Sequence, residues 1–345
     1  MEKGLNITND TDDFDVLIAN AQKVEALEVD QDTKVFIQLT GKPSDMLARK
    51  KYPNAVFFKD PEEIIEQLKP TPVQDIKPIT GDSFLGLSYS NKGGVGKTTS
   101  AISLAYCLSE MGYKTVIADF DFKGPNLASY FNIKKPINYL KEGVSESTLN
   151  KALTKIKPNF YALPMSSDIH LPTITSEDLQ YVCDYLQERF ECVIIDTMIA
   201  PHENSYMWDI FKRANLVYAI TNQAKITMEE MSMYAPSLIF MGVAPHNIRI
   251  LINQYSPKQT SIKQVVKAFN KNIKSTTAMP KLAGQFPHNW DEQLKALSEG
   301  KYLNKEEWQK VCREIPDYLN KKPKPKVEVE KTGLLTKLKI ITNRA

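Results

Sequence analysis

The sequence predicts an α/β fold: a doubly wound, mainly parallel sheet with helices on both faces, preceded by a small α/β domain. Three observations lead there. From Phe84 onward, seven strand-like runs alternate with amphipathic stretches, the order that a parallel sheet with crossover helices requires. Several of the runs, TVIAD and CVIID among them, are apolar without alternation, so both of their faces are expected to be buried. A glycine-rich turn joins the first run to a long apolar-periodic helix.

In the front part, Phe14–Ala19 and Lys34–Leu39 read as strands, Ser44–Lys51 as a helix with Ser44 as its N-cap, and Ala55–Phe58 as another strand. Pro61–Leu68 reads as a helix, with Pro at its first position and Glu62 and Glu63 in the first turn. Residues 1–70 therefore form one small domain. Residues 71–82, within a stretch punctuated by Pro70, Pro72 and Pro78, form a linker. The larger domain spans 83–320, with strands at Phe84–Ser90, Lys114–Asp119, Asn159–Leu163, Cys192–Asp196, Asn215–Thr221, Ile248–Asn253 and Lys281–Gln285. Residues 321–330 read as an extended Lys/Pro/Glu tether, and 331–345 as a terminal helix.

Composition excludes several classes. With 42% hydrophobic and 25% charged residues the chain is not broadly disordered. Nowhere do 18 apolar residues follow one another, so no transmembrane helix is expected. The first residues lack the basic-then-apolar order of a secretory signal. Cys107, Cys183, Cys192 and Cys312 show no CxxC spacing and read as reduced cytosolic thiols. The four histidines, His170, His202, His246 and His288, have no metal-ligand spacing. The net charge of +3 is uneven: residues 321–345 carry eight Lys/Arg against two Glu, a net of +6 that leaves the body at −3.

The strongest chemical signal is YSNKGGVGKTTSAISLAYCL, residues 89–108. A strand ends at Ser90 and a helix begins near Lys97, the setting in which backbone N–H groups curl around anionic oxygens. Gly93, Gly94 and Gly96 permit close backbone approach. Lys97 suits the β/γ-phosphates, and the Thr98 hydroxyl suits Mg²⁺. The usual pattern would put Gly at position 91, where this chain has Asn91, and it adds Lys92.

The run Lys92-Gly93-Gly94-Val95-Gly96-Lys97-Thr98-Thr99 resembles the deviant phosphate loop of the MinD/ParA ATPases, and the order of motifs over roughly 84–305 agrees. The resemblance implies a P-loop NTPase fold that binds ATP and Mg²⁺ and forms an ATP-sandwich homodimer, with Lys92 reaching the partner's nucleotide. Asp119 and Asp121 resemble the family's DxD element: Asp121 would orient the attacking water, and Asp119 would support the Mg²⁺ and phosphate region. Asp196, ending Val193–Asp196, resembles the Walker B aspartate that holds Mg²⁺ through water. Segment 198–204 departs from the family's usual proline- and glycine-containing switch, which bears on the hydrolysis rate. Asn253 stands where the family places an adenine-recognising Asn, although a turn-forming Asn would read the same way. Pro287 lies in a stretch resembling the second base-contacting loop.

The basic tail gathers Leu334, Leu335, Leu338 and Ile341 on one helical face with Lys337 and Lys339 beside it. It resembles a MinD-type membrane-targeting helix suited to an anionic bilayer. By that resemblance the protein is cytoplasmic and peripheral on the inner face of the cell membrane, a positional switch that answers to an activating or cargo protein. Two further readings are a ParA-like ATPase that coats DNA, with a basic patch on its body, and a weakly hydrolysing scaffold at a pole. More faintly, 14–69 resembles the receiver-like domain of TadZ/CpaE-type proteins; Asp30 and Asp32 sit in a polar stretch and make no convincing phosphoacceptor.

Overall fold

The computed structural model describes residues 16–21, 34–41, 44–53, 55–60, 82–166, 174–274, 278–298, 300–319 and 338–341. The chain divides into two units, 72–328 and a second made of 1–71 with 329–345.

The larger unit is built on eight strands: β4 (Phe84–Tyr89), β5 (Thr115–Phe120), β6 (Thr154–Lys157), β7 (Phe160–Leu163), β8 (Cys192–Thr197), β9 (Leu216–Thr221), β10 (Ile248–Tyr255) and β11 (Lys281–Pro287). Their order is β11-β10-β9-β4-β8-β5-β7-β6, parallel throughout except that β6 runs antiparallel to β7. The sequence reading missed β6. Its four residues, TKIK, form a short lysine-bearing edge, which is how a sheet blunts an open side.

Alternation along the central strands shows why both faces are covered. Val116, Ala118 and Phe120 of β5 enter one core, together with Leu179, Val182 and Leu186 of α3 (Ser176–Arg189). Ile117, between them, enters the other, with Ala101, Leu104 and Leu108 of α2 (Lys97–Glu110). The apolar runs are thus the signature of strands walled by helices on each side. The chain runs from β4 to β5 past the place that β8 later fills, then crosses to β9 on the other side. That reversal opens a crevice at the carboxyl end of β4.

Helix starts differ in a way that matters for the site. The helix α3 and the helix α5 (Ile262–Asn270) each open with a capping box, from Thr175 with Asp178 and from Ser261 with Gln264. In contrast, α2 opens on Gly96, whose left-handed conformation supplies no side-chain cap. Its first-turn N–H groups have no side-chain acceptor at the cap.

The smaller unit has a parallel sheet in the order β12-β1-β2-β3, formed by Leu338–Ile341, Val16–Asn20, Lys34–Gln38 and Val56–Phe58. The helix α1 (Ser44–Lys51) lies where the sequence placed it. Its entry is held by Asp45, whose carboxylate accepts from Thr40 N, Thr40 Oγ1 and Gly41 N. Ile37, Ala21 and Ala48 form its core.

One expectation needs correction here. Leu338 and Ile341, assigned to the lipid face of a terminal helix, lie instead in β12, paired in register with Val16 and Ala19. The physical reason is a choice between two structures: a helix of about 15 residues is marginal alone in water, whereas β-branched Ile340 and Ile341 suit an edge with unpaired backbone groups. Leu334 and Leu335, the 321–330 tether, Pro61–Leu68, the linker prolines, Asp30, Asp32 and His170 lie outside the described residues. No helix among the described residues is long and apolar enough to cross a membrane. All four cysteines are buried, and none is in a disulfide.

Candidate functional site

After β4 the chain turns through 90–96 into α2. Gly94 and Gly96 take φ of +75° and +88°, the left-handed region that favours glycine. Asn91 is not among the positive-φ residues, so the loop tolerates a side chain where the usual pattern has Gly. Gly93 packs 3.6 Å from Ile199, measured from where a Cβ would stand. Val95 is buried, and Thr99 Oγ1 donates to Gly96 O at 2.9 Å. Thr98 stands half-buried in the first turn.

Strand register assembles the acids. Ser88, Asp196 and Asp119 form one row across β4, β8 and β5. Ser88 Oγ donates to Asp196 Oδ1 at 2.9 Å, and Lys97 Nζ reaches the same oxygen at 2.9 Å and Asp121 Oδ2 at 3.6 Å. Burial alone would push the Lys97 ammonium down, but Asp196, Asp121 and Asp119 outweigh it, and its pKa lies above the ordinary value. Lys97 is thus a fixed cation among three carboxylates, two of which it contacts.

Asp119 is held differently. Its oxygens accept from the backbone N–H groups of Asp121, Asn126 and Leu127. Burial first, and Asp196 second, push its carboxyl up to about 7. The Asp121 carboxyl is also raised, chiefly by burial, although Lys97 opposes this. One lysine does not balance three acids. That surplus, together with oxygen donors from Thr98, Asp121 and Asp196, fits a hard cation such as Mg²⁺. Among the described residues no three His, Cys, Asp or Glu side chains make a ready cage, so such an ion would depend on phosphate and water oxygens as well.

Lys92 does not join this group. Its Nζ bonds Glu230 Oε1 at 2.9 Å, on the helix α4 (Lys225–Phe240), and both side chains are partly exposed. In the segment after β8, Ala200 has φ +49°, Trp208 Nε1 donates to His202 O, and the His202 ring lies 5.5 Å from Tyr234 of α4.

On the other side of the loop lies a cleft of about 470 Å³, counted to its open mouth, bordered by Thr99, Asn253, Phe286, Pro287, His288 and Gln293. Phe286 stacks on Trp308 of α6 (Lys305–Val311), with centroids 4.2 Å apart. Asn253 and Pro287 thus share one cleft, beside the phosphate loop rather than within it.

The sequence reading missed Ser88, Glu230, Asn222 and Gln254. Asn222 Nδ2 donates to Gln254 Oε1 at 2.9 Å, and Gln254 Nε2 donates to Gly94 O at 3.0 Å. A signal was present: β9 and β10 both run into Asn-Gln, at 222–223 and 253–254.

An uncapped helix after a glycine turn, a buried lysine among strand-end acids and an adjoining cleft define a phosphate-loop nucleotide-binding protein. The family described as "CobQ/CobB/MinD/ParA nucleotide binding domain" matches residues 88–317, and the chain belongs to it. The septum site-determining protein MinD of Synechocystis sp. is 29% identical over 220 residues, covering 61% of this chain and 77% of that protein. MinD of Neisseria meningitidis is 35% identical over 190 residues, 50% of this chain and 67% of its own. MinD of Escherichia coli is 38% identical over 113 residues, but there the match spans only 42% of the relative and 31% of this chain.

Solved structures with the same fold include the Aquifex aeolicus MinC:MinD complex, at TM-score 0.54 and 17% identity over 71% of this chain and 99% of that one. Pyrococcus horikoshii MinD complexed with Mg-ADP gives 0.51 and 20% over 68% and 95%. A Borrelia burgdorferi plasmid partition protein bound to AMPPNP gives 0.51 and 19% over 68% and 98%.

Proposed function

We propose that the chain is a Mg²⁺-dependent ATPase that dimerises around ATP and uses that dimerisation to control attachment to an anionic surface, so positioning a cellular machine. The observation that carries this is Lys97, held between Asp196 and Asp121 at the mouth of an uncapped helix. Backbone N–H groups of 93–99 and Lys97 would hold the β/γ-phosphates. Thr98 directly, and Asp196 through water, would hold Mg²⁺, which when bound supplies charge neutralisation at the phosphate oxygens. Asp121 would orient the attacking water, and Asp119 would brace the loop carrying it through its three backbone acceptor contacts. Lys92 would have to leave Glu230 to reach a second copy's phosphates, which makes the dimer conditional on opening one ion pair in each copy. The MinD relatives and the AMPPNP- and Mg-ADP-bound neighbours support this reading. Lys97→Ala is expected to weaken ATP binding and to cut hydrolysis sharply; unchanged binding and activity refute the site.

Attachment through Leu334, Leu335, Leu338 and Ile341 to the inner face of the cell membrane requires β12 to leave its sheet. Lipid binding is then a second state of the tail. Liposome co-sedimentation with ATP, with ADP and without nucleotide tests it, comparing the full chain with one lacking 327–345; equal pelleting of both chains refutes it.

A second surface favours DNA instead. The 60 residues 231–290 contain no Asp or Glu but seven Lys/Arg. Lys258, Lys263, Lys267, Lys271 and Lys274 are exposed there, with Val265 and Phe269 of α5 turned inward. A helix that buries Val265 and Phe269 and exposes Lys263 and Lys267 suits phosphodiesters better than a bilayer interior. Joint Lys263→Ala, Lys267→Ala and Lys271→Ala substitution is expected to cut duplex binding and flatten its salt dependence by up to roughly 0.9 log unit per lost phosphate contact.

A further inference from the structure

We infer that Asn253 and Gln254 are positioning residues for the phosphate loop: by gripping its carbonyls they aim its N–H groups. This rests on the phosphate-loop reading above.

Asn253 Nδ2 donates to Val95 O at 2.8 Å, and Gln254 Nε2 donates to Gly94 O at 3.0 Å. In a planar trans peptide the C=O of one residue and the N–H of the next point in opposite directions. Holding the Gly94 carbonyl outward therefore turns the Val95 N–H toward the loop's concave side, and holding the Val95 carbonyl does the same for the Gly96 N–H. Those are the donors a bound phosphate needs. Fixing them before the ligand arrives removes part of the ordering cost of binding.

The grip is itself built. Gln254 takes φ +54°, a conformation uncommon for a residue with a side chain. Its Oε1 accepts from Asn222 Nδ2, and Asn222 Oδ1 accepts from Ala224 N at the start of α4. Beside it, Gln223 Nε2 donates to Ser256 O and Thr260 O, while its Oε1 accepts from Ser256 N, which ties the ends of β9 and β10 together.

Gly96 supplies an independent sign. The Asn253 amide nitrogen stands in the space a Cβ on Gly96 would take, whereas at Gly94 that space is empty. Gly94 is required only for its φ. Gly96 is required for its φ and for the approach of Asn253. An amide pressed this closely on the loop has its donor nitrogen committed there.

The test compares base with phosphate. Dissociation constants for ATP, GTP and inorganic tripolyphosphate, each with Mg²⁺, are measured on the full chain, wild type and with Asn253→Ala, Gln254→Ala or Gln254→Glu. Gln254→Glu keeps the size but sets an acceptor against the Gly94 carbonyl, at a partly exposed position where folding is not threatened. Each substitution is expected to weaken tripolyphosphate as well as ATP and GTP, by about tenfold. Amide exchange at Val95 and Gly96 is expected to quicken in the unliganded protein while the melting temperature holds.

If Asn253→Ala weakens ATP and leaves tripolyphosphate unchanged, Asn253 reads the base and the inference fails. If no variant changes any affinity, the grip has no role in binding and the inference fails. If the wild type binds none of the three, the nucleotide reading itself falls, and this inference with it.

Discussion

The phosphate side of the site and the cleft beside it are built on opposite principles. On the phosphate side the groups are buried and polar, most of them charged: strand register sets Ser88, Asp196 and Asp119 in a row, and Lys97 closes on it from the helix start. The cleft is edged by polar side chains from strand ends and helices and by a Phe286–Trp308 stack. Charge in low dielectric is energetic and intolerant of displacement, whereas contact with a flat ring is spread over many weak pairs. The difference teaches where tolerance lies: single changes on the first side should be severe, and on the second graded.

Lys97→Ala breaks the comparison most directly. It is expected to lower hydrolysis by a hundredfold or more, because it leaves the buried Asp196 and the half-buried Asp121 without their cation. Phosphate-release assays under saturating ATP check this, and a loss below tenfold would place the two sides on equal footing.

Lys92→Ala should separate binding from assembly. ATP affinity is expected to change less than threefold, while ATP-dependent dimerisation, followed by light scattering, is lost. Glu230→Ala is the counterpart: a partly exposed pair is worth about 1 kcal/mol or less, so freeing Lys92 should favour the dimer by up to roughly fivefold for each copy.

The acids also predict a pH signature. The Asp119 carboxyl is raised to about 7, so the folded protein binds its proton more tightly than the unfolded chain does. Below about pH 4 the group is protonated in both states and costs nothing. As pH rises from there towards 7 the unfolded chain loses this proton while the fold keeps it, which weakens the fold by on the order of 4 kcal/mol in all. Urea unfolding of the nucleotide-free protein at pH 5 and pH 8 measures this, and Asp119→Asn should flatten the difference. A wild-type chain that grows more stable over that range would refute the assignment.

The smallest effect belongs to the cleft. His288→Ala, at its rim, is expected to weaken ATP by no more than about threefold and tripolyphosphate not at all.

Legibility followed the same divide. The phosphate loop was readable because its donors lie in consecutive residues, and the strand-end acids because apolar runs end in them. The partner of Asn253 is 158 positions away and that of Lys92 is 138 away, so position was readable while the contact was not. Asn222 and Gln254 left only a repeated Asn-Gln, which is also ordinary turn chemistry. The tail misled for another reason. Its apolar residues satisfy a helical period over 334–341 and a strand over 338–341, and only the presence of β1 decides between them.

That last pairing carries a consequence for biosynthesis. The strand at 16–20 meets its neighbour at 338–341 only after more than 300 further residues have been translated. At the usual pace of a ribosome this is a delay of roughly tens of seconds, during which one margin of the nascent sheet stays open to chaperones or to a sister polypeptide.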